Sequence, residues 1–167
     1  ILISLSVTLG IALTTLGSSY FQKTRFTAQT KLYESYLTYS NPYRQASCFL
    51  TSNRNNFRLF DQKNCINTEP EKFNILLIGD SHANHWFSAL KENLQENQTL
   101  SVATASGCRP IVPIQGVERC TVLMDWAIKD LITNKQFGKI IIAGRWITRD
   151  IQHIAETIAL LNKSSNH

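Results

Sequence analysis

The stretch "LLIGDSHANHWFSAL", residues 76–90, decides how the rest of the chain is read. An apolar run stops at Ile78, a turn follows at Gly79-Asp80-Ser81-His82, and Trp86, Phe87, Leu90 and Leu94 then recur at helical spacing. A continuous apolar run suits a strand buried on both faces, so "FNILLI" (73–78) predicts a strand and residues 81–94 an amphipathic helix of about four turns. Gly79 permits the tight strand-to-helix turn between them. Ser81 stands in the first helical turn, where backbone N–H groups are unpaired and the helix dipole is positive. Two readings compete. Asp and Ser are common helix caps, and a serine beside free N–H groups is also a nucleophile with a place to hold an oxyanion.

The alternation continues downstream. "LSVATA" (100–105) reads as a second strand, and Leu123, Ala127 and Leu131, with Trp126 beside them, as a second helix. "KIIIAG" (139–144) is a third strand; Ile147, Ile151, Ile154, Ala155, Ile158 and Leu161 outline a third helix. The pattern predicts an α/β fold, a three-layer αβα parallel sheet of flavodoxin-like type. Sites in such sheets lie beyond the carboxyl ends of the strands. Gly79–His82, Ser106–Arg109 and Gly144–Trp146 all fall there.

The chain has 167 residues, 43% hydrophobic and only 17% charged. The shortage of charge has a local source: residues 1–21 carry none. At about 1.5 Å per residue they match the roughly 30 Å hydrocarbon core of a bilayer. Gly10 and Gly17 allow close helix packing, and Tyr20 and Phe21 suit an interface. A signal-peptide core or a buried helix are the alternatives; without a basic n-region or an A-x-A site, a transmembrane helix fits better. Residues 22–72 read as a polar, aromatic-rich and Asn-rich extension, and 73–167 as the α/β domain. The first residue is Ile and the last, His167, follows no stopping feature, so the chain reads as an excerpt truncated at its C-terminus.

Net charge is +5, with Lys23, Arg25 and Lys31 just after the apolar segment, where anionic lipid headgroups are the expected partner. The other basic residues are scattered without a stripe, so no nucleic-acid partner is expected. The four cysteines, Cys48, Cys65, Cys108 and Cys120, form no C-x-x-C and lack zinc-finger spacing to His, so no metal is expected. They fall into two local pairs, Cys48 with Cys65 and Cys108 with Cys120, the simplest of three connectivities; four reduced thiols are the alternative. Disulfides imply an oxidising compartment such as a bacterial periplasm.

"LLIGDSHANHW", "SGCRPI" and "AGRW", in this order behind an apolar helix, resemble the SGNH (GDSL-like) hydrolase and transferase superfamily. The branch they resemble is the SGNH domain fused behind the membrane acyltransferase-3 domain of bacterial surface-polysaccharide O-acyltransferases. The resemblance implies that residues 1–21 are the last membrane helix of that domain, with residues 22–72 its periplasmic extension. It makes Ser81 the nucleophile and the Ser81 N–H an oxyanion donor. Gly107 takes the place of the second donor, against its reading as a turn glycine beside a disulfide. The family's third block carries an Asn where this chain has Gly144-Arg145-Trp146, which leaves Arg145 and Trp146 as structural or substrate-contact residues.

The implied activity is O-acyl transfer, acetyl above all, to a cell-surface glycan such as O-antigen through an acyl-serine. The domain itself would hold no cofactor, and the acyl group would come from acetyl-CoA through the membrane domain in the same chain. An esterase or deacetylase, or a non-catalytic membrane-anchored glycan-binding module, are the other readings. The family's D-x-x-H block, which supplies the base, has one match in spacing, Asp150 and His153. That match opens an amphipathic helix, so both residues are expected to face solvent and the true pair to lie beyond His167. His82 is expected to line the pocket and His85 the helix surface, with Asp80 bracing the turn.

Overall fold

The computed structural model describes residues 27–31 and 47–164. The chain divides into two units, residues 1–40 and 41–167. In the first, the described residues form one helical turn at 28–31, opened by Thr27, whose hydroxyl accepts the Thr30 N–H at 3.2 Å. The expected transmembrane helix, residues 1–21, lies outside the described residues. Among the described residues no helix is long and apolar enough to cross a membrane.

The second unit is built on a four-stranded, wholly parallel sheet of order β1-β3-β2-β4. Its strands are β1 (Phe49–Leu50), β2 (Phe73–Gly79), β3 (Gln98–Ala105) and β4 (Lys139–Ala143). β2 is buried from Asn74 to Gly79 and β3 from Thr99 to Ala105, so both faces of the sheet's middle are covered. That is why "FNILLI" and "LSVATA" are unbroken apolar or small-residue runs rather than alternating ones. All three expected strands are present, and β1 joins them at the far edge.

β1 comes from the segment assigned in sequence to the extension. Two residues suffice because side chains and a disulfide fasten them. The Thr104 hydroxyl lies 3.1 Å from the Cys48 carbonyl and 3.2 Å from Asn84 Oδ1, and Cys48 is bonded to Cys65 at the end of α1 (Gln62–Cys65). Farther along, Ser101 donates its hydroxyl to the Asn67 carbonyl and accepts the Asn67 N–H, both at 2.9 Å. Residues 47–72 are thus part of the sheet's own packing.

The remaining helices are α2 (Ser81–Glu92) and α3, which runs Glu118–Asp125, widens into a π-helical stretch Trp126–Leu131 and ends Ile132–Asn134. α4 (Ile151–Ser164) follows a 3-10 turn Thr148–Asp150. Leu123, Ala127 and Leu131 are buried as their spacing predicts, and the Trp126 ring packs on Phe57 and Phe60 with centroids 5.4 and 5.6 Å away.

Two helical expectations are corrected. Phe87 is buried in α2, but Trp86 is 60% exposed, because one position along a helix turns a side chain by about 100°. In α4 the inward positions are Thr157 and Leu161, with Asp150 just ahead; Ile147, Ile151 and Ile158 face out. Of the expected apolar stripe only Leu161 is buried, with Ile154 half-buried. β4 is only half-buried, and among the described residues it pairs with β2 alone.

Candidate active site

β2, β3 and β4 end at one level, since Gly79 is in register with both Thr104 and Ala143. The three segments singled out in the sequence leave the sheet together. Gly79 has φ +146°, and a Cβ there would lie 1.7 Å from the Ala143 carbonyl oxygen. Only glycine lets the end of β4 close over β2 in this way.

Asp80 is buried and caps α2. Its Oδ1 accepts the His82 N–H at 2.8 Å, and its Oδ2 accepts the Arg145 N–H at 2.7 Å. The carboxylate braces the turn through backbone N–H groups, as expected, and also ties that turn to the end of β4. Because Asp80 does the capping, Ser81 is released from it. Ser81 is half-buried, and neither its hydroxyl nor its N–H has a hydrogen-bond partner among the described residues.

Gly107 is exposed with φ +74°, a left-handed conformation, and a Cβ there would meet nothing within 4 Å. Its N–H has no partner among the described residues, whereas its neighbours are held on every side. The Ser106 N–H donates to the Leu50 carbonyl at 2.8 Å, and the Ser106 carbonyl accepts Arg119 Nε and Nη2 at 3.1 and 2.9 Å. Cys108 is bonded to Cys120, and Arg109 Nη1 meets Asp150 Oδ2 at 2.7 Å. A cavity of about 190 Å³ adjoins the loop, lined by Gly107, Arg109, Ile111, Gln115 and Gly116.

Arg145 is exposed, and only its backbone enters the network. The Trp146 indole lies over Gly144, its ring 3.5 Å from the place a Gly144 Cβ would take, and stays 37% exposed. Asp80 thus joins the Ser81 turn to the Gly144–Trp146 turn, and the Gly107 loop leaves the neighbouring strand end at the same level.

The described histidines do not complete the site. His82, expected to line the pocket, has a side chain 54% exposed, with Nδ1 3.3 Å from Asp80 Oδ1. His85 is exposed on the α2 surface, its ring 6.4 Å from that of His82. No imidazole is hydrogen-bonded to Ser81 among the described residues. His153 Nδ1 instead lies 3.2 Å from Glu156 Oε2, and no hydrogen bond joins it to Asp150.

The expectation that Asp150 faces solvent is wrong. Asp150 is 2% exposed and accepts both Arg109 and the Ile147 N–H, the latter at 2.9 Å. A buried carboxylate needs such partners, and Arg109 provides the charge. Among the described residues no group of His, Cys, Asp or Glu is placed to hold a metal ion.

Arg119 and the Arg109–Asp150 pair escaped the sequence reading. Arg119 left a usable signal: pairing Cys108 with Cys120 necessarily brings residue 119 beside residues 106–109. Nothing local announced Arg109–Asp150, whose partners are 41 positions apart.

The family pattern described as "SGNH domain (fused to AT3 domains)" matches residues 47–165. Among solved structures, the chain is similar to the periplasmic domain of a lipopolysaccharide acetyltransferase from Salmonella ser. Paratyphi A. The TM-score is 0.60 at 20% identity, over 78% of this chain and 53% of that one, which is a likeness of fold. This chain thus spans about half the length of that domain. No curated protein matches.

Proposed function

The chain belongs to the family of SGNH domains fused to AT3 domains, and on that premise we propose that it is the acyl-accepting part of an extracytoplasmic O-acyltransferase. Ser81 is the nucleophile. The observation that carries this reading is the division of labour at the turn: Asp80 caps the helix, and the Ser81 hydroxyl is left without a partner among the described residues.

In the proposed reaction, Ser81 Oγ attacks an acyl carbonyl and gives its proton to a base. The N–H groups of Ser81 and Gly107 hold the oxyanion of the tetrahedral intermediate. Collapse expels the donor, which takes the proton from the base, and leaves an acyl-serine ester. A sugar hydroxyl then attacks that ester and loses its proton to the base, which returns it to Ser81 Oγ as the serine leaves. Two easier steps replace one difficult transfer. The described residues supply no base for Ser81, and we assign that part to an Asp–His pair following residue 167.

The donor is an acetyl group from acetyl-CoA, passed across the bilayer by an AT3 domain of the same protein, and the acceptor is a surface glycan. Residues 1–21 anchor the domain in the membrane, beside anionic lipid. Both disulfides support an extracytoplasmic place for the domain. His82, Arg145 and Trp146 are the proposed acceptor contacts; an exposed indole beside the serine turn is a surface on which a sugar ring can stack.

The test is cellular. Cells lacking the gene are complemented with the wild-type gene or with Ser81→Ala, and O-acetyl groups on the surface polysaccharide are measured by NMR. Wild-type levels in the Ser81→Ala cells would sink the nucleophile assignment. Release of acetate with no transfer to glycan would instead favour an esterase. A non-catalytic glycan-binding module is the second reading, favoured by the lack of any imidazole on Ser81 among the described residues. It predicts glycan binding that survives Ser81→Ala and no O-acetylation by either form.

A further inference from the structure

The Ser106–Gly107 peptide is trans, so its C=O and N–H point in opposite directions. Its two ends meet very different surroundings. The carbonyl accepts two N–H groups of the Arg119 guanidinium, Nε at 3.1 Å and Nη2 at 2.9 Å. The N–H has no partner among the described residues. Arg119 is itself held, since Asn55 Oδ1 accepts its Nη1 at 3.1 Å and its backbone N–H at 3.3 Å. The disulfide Cys108–Cys120 fixes the distance between the loop and the start of α3.

We infer that Arg119 is a positioning residue that aims and strengthens the Gly107 N–H as an oxyanion donor. The inference rests on the reading of Ser81 and Gly107 given above. Gly107 is in a left-handed conformation with open space around it, so nothing about the residue itself holds its N–H in one direction. The forked guanidinium supplies that hold from the other end of the same peptide plane, because two donors on one oxygen fix its orientation where one would let it swing. A positive charge on the carbonyl also polarises the amide, and hydrogen bonds in a chain reinforce one another. Charge then develops at the N–H end during the reaction, where a fixed dipole acts without reorganising.

Arg119 touches no reacting atom in this scheme. Its loss should therefore lower the rate of acylation and leave substrate binding alone.

The experiment uses the full-length protein, with the Asp–His base assigned beyond residue 167, and p-nitrophenyl acetate; Ser81 acetylation is followed by peptide mass mapping and the Gly107 amide by NMR. Arg119→Gln is expected to slow acetylation roughly tenfold, less than the ~10²–10³ that follows complete loss of a donor, with the half-saturating ester concentration unchanged. The Gly107 amide proton is expected to move upfield. Asn55→Ala, which removes the outer partner of Arg119 but leaves both of its bonds to the Ser106 carbonyl, is expected to slow acetylation less than Arg119→Gln does. Arg119→Lys, with the charge kept and the fork lost, should fall between, and it carries the comparison if Arg119→Gln does not fold.

A wild-type rate in Arg119→Gln, an unmoved Gly107 amide, or no gain of Arg119→Lys over Arg119→Gln would overturn the inference. If Ser81 of the full-length wild-type protein takes no acetyl group, the reading of Ser81 fails instead, and the amide shift alone decides whether Arg119 controls the peptide.

Discussion

The carboxylate of Asp80 accepts the backbone N–H of Arg145 at 2.7 Å, joining two strand ends 65 positions apart in the chain. Its other oxygen caps α2 through the His82 N–H. One buried side chain thus sets both the serine turn and its neighbour. Hydrogen bonds to a charged group are worth about 1.5–3 kcal/mol each. Asp80→Ala is expected to destabilise the domain by about 3 kcal/mol or more, measured by urea unfolding. Arg145→Ala keeps the N–H that Asp80 holds and removes only an exposed side chain, so a change within about 0.5 kcal/mol is expected. Equal losses in the two variants would refute this account of the turn.

Gly79→Ala is expected to prevent folding or destabilise the domain by several kcal/mol. The obstacle is the Ala143 carbonyl, backbone that no side-chain rearrangement can move. Ala143→Gly should accordingly fail to rescue it, as circular dichroism and yield of folded protein will show. Gly107→Ala meets no obstruction and suffers only the left-handed φ, a cost of about 1–2 kcal/mol.

Breaking the buried Arg109–Asp150 pair by Arg109→Ala leaves a carboxylate with 2% exposure and no countercharge. Such losses run to about 3–5 kcal/mol. Asp150→Ala leaves a cation that is one-quarter exposed and can reach water, so a smaller loss is expected. Thermal unfolding of both variants tests the order, and the reverse order would contradict it.

Loops closed by bonds 17 and 12 residues apart fall where a disulfide contributes about 3 kcal/mol. Replacing Cys48 and Cys65 by Ser should also release β1, since Cys48 carries the carbonyl that Thr104 faces. Hydrogen exchange at Leu50 and Thr104 should rise in that variant, whereas replacing Cys108 and Cys120 should loosen residues 106–109. The same exchange pattern in both variants would mean that the two bonds do not act locally.

The sheet was legible because β2 and β3 are covered on both faces, and they and the half-buried β4 each leave an unambiguous run of apolar and small residues. β1 was not, for its two residues owe their place to Cys65, Ser101 and Thr104 in other segments. The serine turn was legible in Gly79, where backbone geometry demands one residue type. Asp150 was misread for a definite reason: periodicity reports which helix face is apolar, whereas α4 turns Thr157 and Leu161 inward and Asp150 is buried in the 3-10 turn ahead of it. Arg119 and Arg109 act across the fold, and charge alone does not mark the partner of an arginine.

The outer edge of β4 gives these residues a colloidal property. It offers N–H and C=O groups that pair with nothing among the described residues, backed by Ile140, Ile141 and Ile142. Ile151 and Ile158 lie outward on the helix that follows. An apolar edge of this kind is a template for strand addition. A polypeptide limited to these residues will accordingly be sensitive to its own concentration, self-associating on storage through β4 rather than through the serine face.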